Sequence, residues 1–175
     1  MQRKVPEKIH IIGSVGSGKT TLAKALSSSY DIPYYELDNV VWKRFDNGDV
    51  RRTDEERDQY LRTIIESKSW IVEGVHFSWV SQSFSKADLI IFLDTNYSTR
   101  KLRIIKRFIL QKIRFEKANY KPSFKMFKRM FGWNADFENI YKPEIKNMLQ
   151  IHNDKLLILK DNTEIDNYFI TELDR

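Results

Sequence analysis

Eight consecutive residues near the start of the chain, Gly13-Ser14-Val15-Gly16-Ser17-Gly18-Lys19-Thr20, constrain its fold more than any other stretch. Three of the six glycines stand there, which frees the backbone to curl and turn successive N–H groups toward one point. Lys8-Ile9-His10-Ile11-Ile12 precedes the loop and reads as a buried strand. Thr20 to Ser29 follows it, and Leu22, Ala23, Ala25 and Leu26 give that helix one packed face. A strand, a curled loop and a helix N-terminus in that order make an anion site. The pattern G-x-x-x-x-G-K-[ST] is met at every position, so Lys19 is expected to reach β and γ phosphates and the Thr20 hydroxyl to complete a magnesium shell. The implied ligands are a nucleoside triphosphate, expected to be ATP, and Mg²⁺. The residues expected to cradle them are Gly13, Ser14, Val15, Gly16, Ser17, Gly18, Lys19, Thr20 and Thr21.

The rest of the chain supplies a sheet for this loop to sit on. Pro33 to Leu37, Trp70 to Gly74, Asp88 to Asp94 and Leu156 to Leu159 are apolar runs bounded by turn or acidic residues. Runs without polar alternation fit strands covered on both faces, as in a parallel sheet. Helical patterns alternate with them: one after the capping box Thr53-Asp54-Glu55-Glu56, one from about Ser98 to Lys117, one from Asp136 to His152, and a short one near 164–173. The expected architecture is α/β, a three-layer fold with a mostly parallel five-stranded sheet flanked by helices. No linker or repeat divides the 175 residues, so a single domain is expected, with insertions near 43–56 and 110–136.

Charge is distributed unevenly. Arg100 to Arg129 holds twelve Lys or Arg against Glu116 alone, +11, and the remaining residues sum to −5, giving the net +6. A local basic excess of this kind suggests a surface for something anionic. The absence of cysteine excludes disulfides and thiolate metal sites and fits a reducing cytoplasm. No apolar run has the length that spans a bilayer, and the short apolar stretch before Gly13 reads as a strand instead of a signal peptide; a soluble cytoplasmic protein with no membrane partner is expected.

A regulatory GTPase would carry N/T-K-x-D and D-x-x-G, and neither string occurs. The compact kinase-like group remains, in which a second substrate binds beside the triphosphate. The chain resembles adenylate-kinase-like P-loop proteins, and most of all those called DNA topology modulation proteins (FlaR-related). The resemblance rests on IIGSVGSGKTTLA at 11–23, ELDNVVW at 36–42, WIVEGVH at 70–76, LIIFLD at 89–94 and Arg103-x-x-x-Arg107. Relatives of that type usually have D-G-N-Y where this chain has Glu73-Gly74-Val75-His76, so a carboxylate is kept on a longer arm and the acceptor side is altered.

The resemblance implies roles for five side chains. Glu73 would end a strand beside the phosphate loop and hold Mg²⁺ through water; the plain alternative is a solvated strand-end acid. Asp94 ends the next strand, which the resemblance puts one step further from the phosphates. Asp38 stands where kinases of small hydroxyl compounds place an acceptor-binding acid, or is simply a helix N-cap. Arg103 and Arg107, with Arg100, recur at i, i+3 and i+7 and would form a lid face that closes on the triphosphate, with Lys19 on the phosphates beneath. Leu102, Ile105, Ile109 and Ile113 make the opposite, apolar stripe, expected to pack. Phe124, Phe127 and Phe131, among Lys125, Lys128 and Arg129, fit either core packing or base stacking.

Two functions follow as expectations. One is an ATP- and Mg²⁺-dependent phosphotransferase with an unidentified nucleotide, nucleoside or small hydroxyl acceptor, in which Lys19, Asp38, Glu73, Arg103 and Arg107 act. The other is a nucleic-acid-associated ATPase that holds DNA through residues 100–129.

Overall fold

The apolar runs pair into one sheet. In a computed structural model that describes residues 6–113, 123–166 and 168, β1 (Lys8–Gly13) lies at the centre. β5 (Trp70–Gly74) flanks it on one side and β6 (Leu89–Leu93) on the other, with β2 (Tyr34–Glu36) and β7 (Leu156–Leu159) outermost. Every pairing in this sheet is parallel. All five strands therefore end at one edge, and the loops that follow Gly13, Glu36, Gly74, Leu93 and Leu159 meet there. In such sheets that edge is where ligands bind.

Side chains alternate to two cores, which is why the runs show no polar period. Ile9 and Ile11 pack with Ile71, Ile91 and with Leu22, Ala23 and Leu26 of α1 (Lys19–Tyr30). Ile12 packs on the other face with Trp70, Val72 and Phe92, under α3 (Asp54–Ile65), α4 (Ser81–Lys86) and α7 (Lys142–Leu149). His10 belongs to this second face: its Nδ1 lies 2.8 Å from Ser83 Oγ and its ring 4.2 Å from that of Phe84. Burial lowers its pKa to about 3, so it stays neutral in the folded protein.

The capping box forms as expected, Thr53 accepting from Glu56 N at 3.2 Å and Glu56 accepting from Thr53 N at 3.1 Å. Where an insertion was expected near 43–56, the chain forms a small hairpin of β3 (Trp42–Lys43) and β4 (Val50–Arg51), tied across its turn by Arg44 and Asp49. Of the basic segment, residues 114–122 lie outside the described residues, as do 167 and 169–175 of the expected last helix. α6 (Phe124–Asp136) runs into a π-helical turn at Phe137–Tyr141, then α7 and a 3₁₀ stretch at Gln150–Lys155, where one helix had been expected. Among the described residues no helix is long and apolar enough to cross a membrane.

One expectation is reversed. On α5 (Tyr97–Lys112) the stripe expected to pack points outward, Leu102 being 67% and Ile113 63% exposed, while Arg100, Ile104 and Gln111 are buried. The cause is what α5 lies against. It packs beside the phosphate loop, whose backbone carbonyls face away from the phosphate side and need donors. Arg103 Nη1 donates to Ser17 O at 3.0 Å, and the Arg100 guanidinium meets Glu138 at 2.5 Å. Satisfying a polar neighbour selects the guanidinium face, and the aliphatic face is left in solvent. Of the phenylalanines of α6, Phe127 and Phe131 pack, Phe127 stacking on Phe108 at 4.4 Å and meeting Phe131 at 5.0 Å, while Phe124 is 72% exposed.

Candidate active site

The loop at 13–20 closes as its glycines require. Gly16 has φ 75°, and a Cβ there would stand 2.9 Å from the Arg100 carbonyl oxygen, so no other residue fits without moving α5. Ser17 N donates to Ser14 O at 3.3 Å, and the Lys19 ammonium donates to Ser14 O at 2.8 Å, which folds the lysine back across the loop. Burial in that position holds Lys19 below the usual lysine range, against the pull of Glu73 and Asp38 and with the push of Arg107 and Arg100. The hydroxyl of Ser14 donates to Asn134 Oδ1 at 3.4 Å, so α6 is attached to the loop's far side. Val15 and Gly18 are half-buried in the loop, and Thr21, the next residue of α1, is exposed.

Glu73 and Thr20 meet. The Thr20 hydroxyl donates to Glu73 Oε1 at 2.5 Å. Glu73 is the fourth residue of β5 and only 4% exposed, so it is not a solvated strand-end acid. Burial raises its pKa, opposed by Lys19 and by the Thr20 hydrogen bond. A hydroxyl and a carboxylate in contact are hard oxygen donors of the kind Mg²⁺ takes. Among the described residues no three His, Cys, Asp or Glu side chains are grouped for a metal.

Asp94 is occupied otherwise. Burial opposes its ionisation, but Lys142 at 2.6 Å, Lys160 at 2.7 Å and Lys146 at 3.1 Å outweigh that and hold its carboxyl down to about 2. This acid fastens β6 to α7 and to the residue after β7, and is committed to structure.

Asp38 is not an N-cap. It lies in the first turn of α2 (Leu37–Val41), whose N-cap is Glu36, and its side chain is 68% exposed at the strand edge. What brings it to the loop is Gly74: a Cβ there would stand 2.8 Å from Leu37 Cβ, so α2 sits directly on the end of β5. His76, two residues on, places Nε2 3.5 Å from Asp38 Oδ1. The hydrogen bond with His76 holds the Asp38 carboxyl below the usual range; the surrounding protein pulls the other way, and the charges of Lys19 and Arg44 add to the effect.

The two arginines of the expected clamp part company. Arg103 braces the loop from outside, bonded to Ser17 O and paired with Asp161 at 2.5 Å. Arg107, one turn on, is exposed, and its charge acts on Lys19. Asp161, Asn134 and Glu138 were missed in the sequence. Asp161 was open to discovery, since it follows the C-terminal end of β7, where a parallel sheet gathers its site. Asn134 and Glu138 carry no local signal; α6 brings Asn134 to a loop more than a hundred residues earlier, and the π-helical turn after it brings Glu138 to Arg100 of α5.

Comparison with known proteins matches the fold. The family described as an AAA domain matches residues 9–119, more than half of the chain. The uncharacterized protein YqaC of Bacillus subtilis (strain 168) is 32% identical over 88 residues, 50% of this chain and 48% of that protein, so the likeness spans about half the relative's length. Among solved structures, a sugar kinase from Janibacter sp. HTCC2649 is similar at TM-score 0.52 and 17% identity, over 97% of this chain and 95% of the other. A gluconokinase from Sinorhizobium meliloti 1021 gives 0.50 and 17%, over 99% and 94%. Shikimate kinase from Aquifex aeolicus gives 0.50 and 18%, over 95% and 96%. At these identities the likeness is one of fold, and the resemblance to the DNA topology modulation group stays at the motifs that suggested it. The phosphate loop, the parallel sheet beneath it and the family match agree: this chain belongs to the AAA domain family of P-loop proteins.

Proposed function

We propose that the chain is an ATP- and Mg²⁺-dependent phosphotransferase that moves the γ-phosphoryl group to a hydroxyl of a small acceptor. The observation that carries this reading is the pairing of Thr20 with Glu73 at 2.5 Å and of exposed Asp38 with half-exposed His76, the charges of Glu73 and Asp38 both acting on Lys19. Loop amides from Gly13 to Thr20 hold the phosphates, and Lys19 leaves Ser14 O to reach the β and γ oxygens. Thr20 and Glu73 would hold Mg²⁺, directly and through water, and the ion would supply charge neutralisation at the β and γ oxygens. Arg107 adds positive charge over the γ-phosphate, while Arg103 keeps the loop in shape. Asp38 orients the acceptor hydroxyl, the positioning that phosphoryl transfer chiefly demands.

The nucleic-acid reading is weaker. On the outward side of α5 the exposed Leu102, Ile105 and Ile109 interrupt the exposed Lys106, Arg107 and Lys112, and phosphate tracking needs a continuous run of cations. The same residues are better employed around ATP.

Asp38→Asn tests the assignment. The expected result is acceptor-dependent turnover reduced about 100-fold with Mg·ATP binding unchanged. Equal loss of nucleotide binding would place Asp38 on the triphosphate instead of the acceptor.

A further inference from the structure

The acceptor side holds a layered set of side chains of which the phosphotransferase reading gives only Asp38 a task. Arg57 of α3 lies 4.4 Å over the Trp79 ring, the Trp79 ring is 5.3 Å from that of His76, and His76 Nε2 is 3.5 Å from Asp38 Oδ1. Four residues from two helices and the turn after β5 thus form one stack that ends at the phosphate loop. Arg57 is itself fixed by Asp54 and Asp58, each at 2.7 Å, so the stack is anchored at its outer end.

We propose that His76 is the catalytic base of the transfer: it takes the proton of the attacking hydroxyl, with Asp38 and Trp79 as its positioning residues. This inference rests on the phosphotransferase reading above. As the acceptor oxygen bonds to the γ-phosphorus, the bond from that phosphorus to the β–γ bridging oxygen breaks. Its electron pair leaves on ADP. The hydroxyl proton passes to the ring nitrogen of His76 that does not face Asp38, Nδ1. The imidazolium so formed is held through Nε2–H by the Asp38 carboxylate, in the manner of an acid–histidine pair.

The division of labour follows from the chemistry of the two groups. Asp38 is held in its ionised form and accepts a proton poorly, so it serves as an orienting anion. Imidazole is the side chain whose ordinary titration range suits proton transfer near neutrality. The ring is placed by geometry: Asp38 of α2 stands 3.5 Å from Nε2, the Trp79 ring is 5.3 Å away, and Arg57 lies 4.4 Å over that ring system. His10 shows what a structural histidine looks like in this chain: fully buried, bonded to a serine hydroxyl and packed on Phe84. His76 is instead half-exposed, beside a carboxylate and at the strand edge where the site gathers.

The test is Mg·ATP turnover with shikimate, gluconate, adenosine and AMP as acceptor probes, for wild type, His76→Ala, His76→Asn and Trp79→Leu. The expected result for His76→Ala is a kcat about 100-fold down, an undiminished stabilisation by Mg·ATP that shows the fold and loop intact, and at least tenfold recovery on adding imidazole. The wild-type rate should fall as pH drops through the histidine range, and His76→Asn should flatten that limb. Trp79→Leu should lower kcat and keep the limb, because the base is present but loosely placed. A His76→Ala kcat within threefold of wild type overturns the proposal. So does activity that His76→Asn restores and imidazole does not, which would make the ring a spacer. If no probe supports turnover in the wild type, the phosphotransferase reading fails for these acceptor classes and this inference with it. Turnover that survives His76→Ala sinks only the inference.

Discussion

Replacing Glu73 by Gln should make the ligand-free protein more stable and the Mg·ATP-bound protein less so. Glu73 is buried, and the Thr20 hydroxyl and Lys19 do not fully offset the loss of water around its charge, which is why its pKa is raised. Gln keeps an oxygen for the Thr20 hydrogen bond at the same reach and removes the charge. Removing a buried charge that its partners do not fully offset gains on the order of 1 kcal/mol, the low end of what burying a polar group costs. For a chain of this size that is a rise in Tm of about 2–4 °C. The sign of the pH dependence is determined. A carboxyl whose folded pKa is raised contributes its stability below the unfolded value, about 4.3, and loses it as pH climbs through the folded value. The advantage of Glu73→Gln should therefore vanish in acid and be complete once the wild-type group has ionised. With Mg·ATP at a hundred times its Kd the wild type gains about 2.7 kcal/mol. Losing a residue that orients the metal shell weakens binding about 10- to 100-fold, which removes roughly half or more of that gain. Thermal melts of both proteins, with and without Mg·ATP at neutral pH, should cross over. A Glu73→Gln protein that melts lower without ligand would show that the Lys19 attraction outweighs burial. One that keeps the full Mg·ATP gain would remove Glu73 from the metal side.

Two further predictions concern the frame of the site. Asp94→Asn should destabilise the protein by about 2 kcal/mol at pH 7, because the carboxyl moves from 3.8 to about 2 on folding and each unit is worth about 1.4 kcal/mol. The folded pKa is depressed, so this stability is present above about pH 4 and lost between there and pH 2; urea unfolding at pH 7 and in acid reads the difference, with turnover unaltered. Gly16→Ala should cost about 2 kcal/mol or more, since φ is 75° and the new Cβ would meet the Arg100 carbonyl at 2.9 Å, and denaturant midpoints check it.

Much of this structure is legible before folding because its signals are local. The phosphate loop, the four other apolar runs and the Thr53 capping box each announce themselves within a few residues, and a parallel sheet leaves those runs few other partners. The contact of Thr20 with Glu73 follows once the strands are ordered, since β5 lies beside β1. What α5 would bury was not legible. Its aliphatic stripe read as the interior and its arginine face as a lid, and the choice was made by the carbonyls of a loop some eighty residues away. The role of Asp94 was hidden for a similar reason: the three lysines that claim it, Lys142, Lys146 and Lys160, carry no mark in sequence that separates them from solvated ones. Asp38 and His76 stand far apart along the chain, and only the seat that Gly74 provides for α2 draws them together.

The central claim is that the γ-phosphoryl group goes to a small hydroxyl compound. ADP release from Mg·ATP, measured with nucleoside monophosphates, nucleosides, sugar acids and polyols one at a time and with duplex and single-stranded DNA as separate additions, tests it most directly, with Lys19→Ala as the blank. The account predicts release that depends on one class of small acceptor, is indifferent to DNA and is absent from Lys19→Ala. Release raised by DNA alone, with no small acceptor turned over, would contradict it.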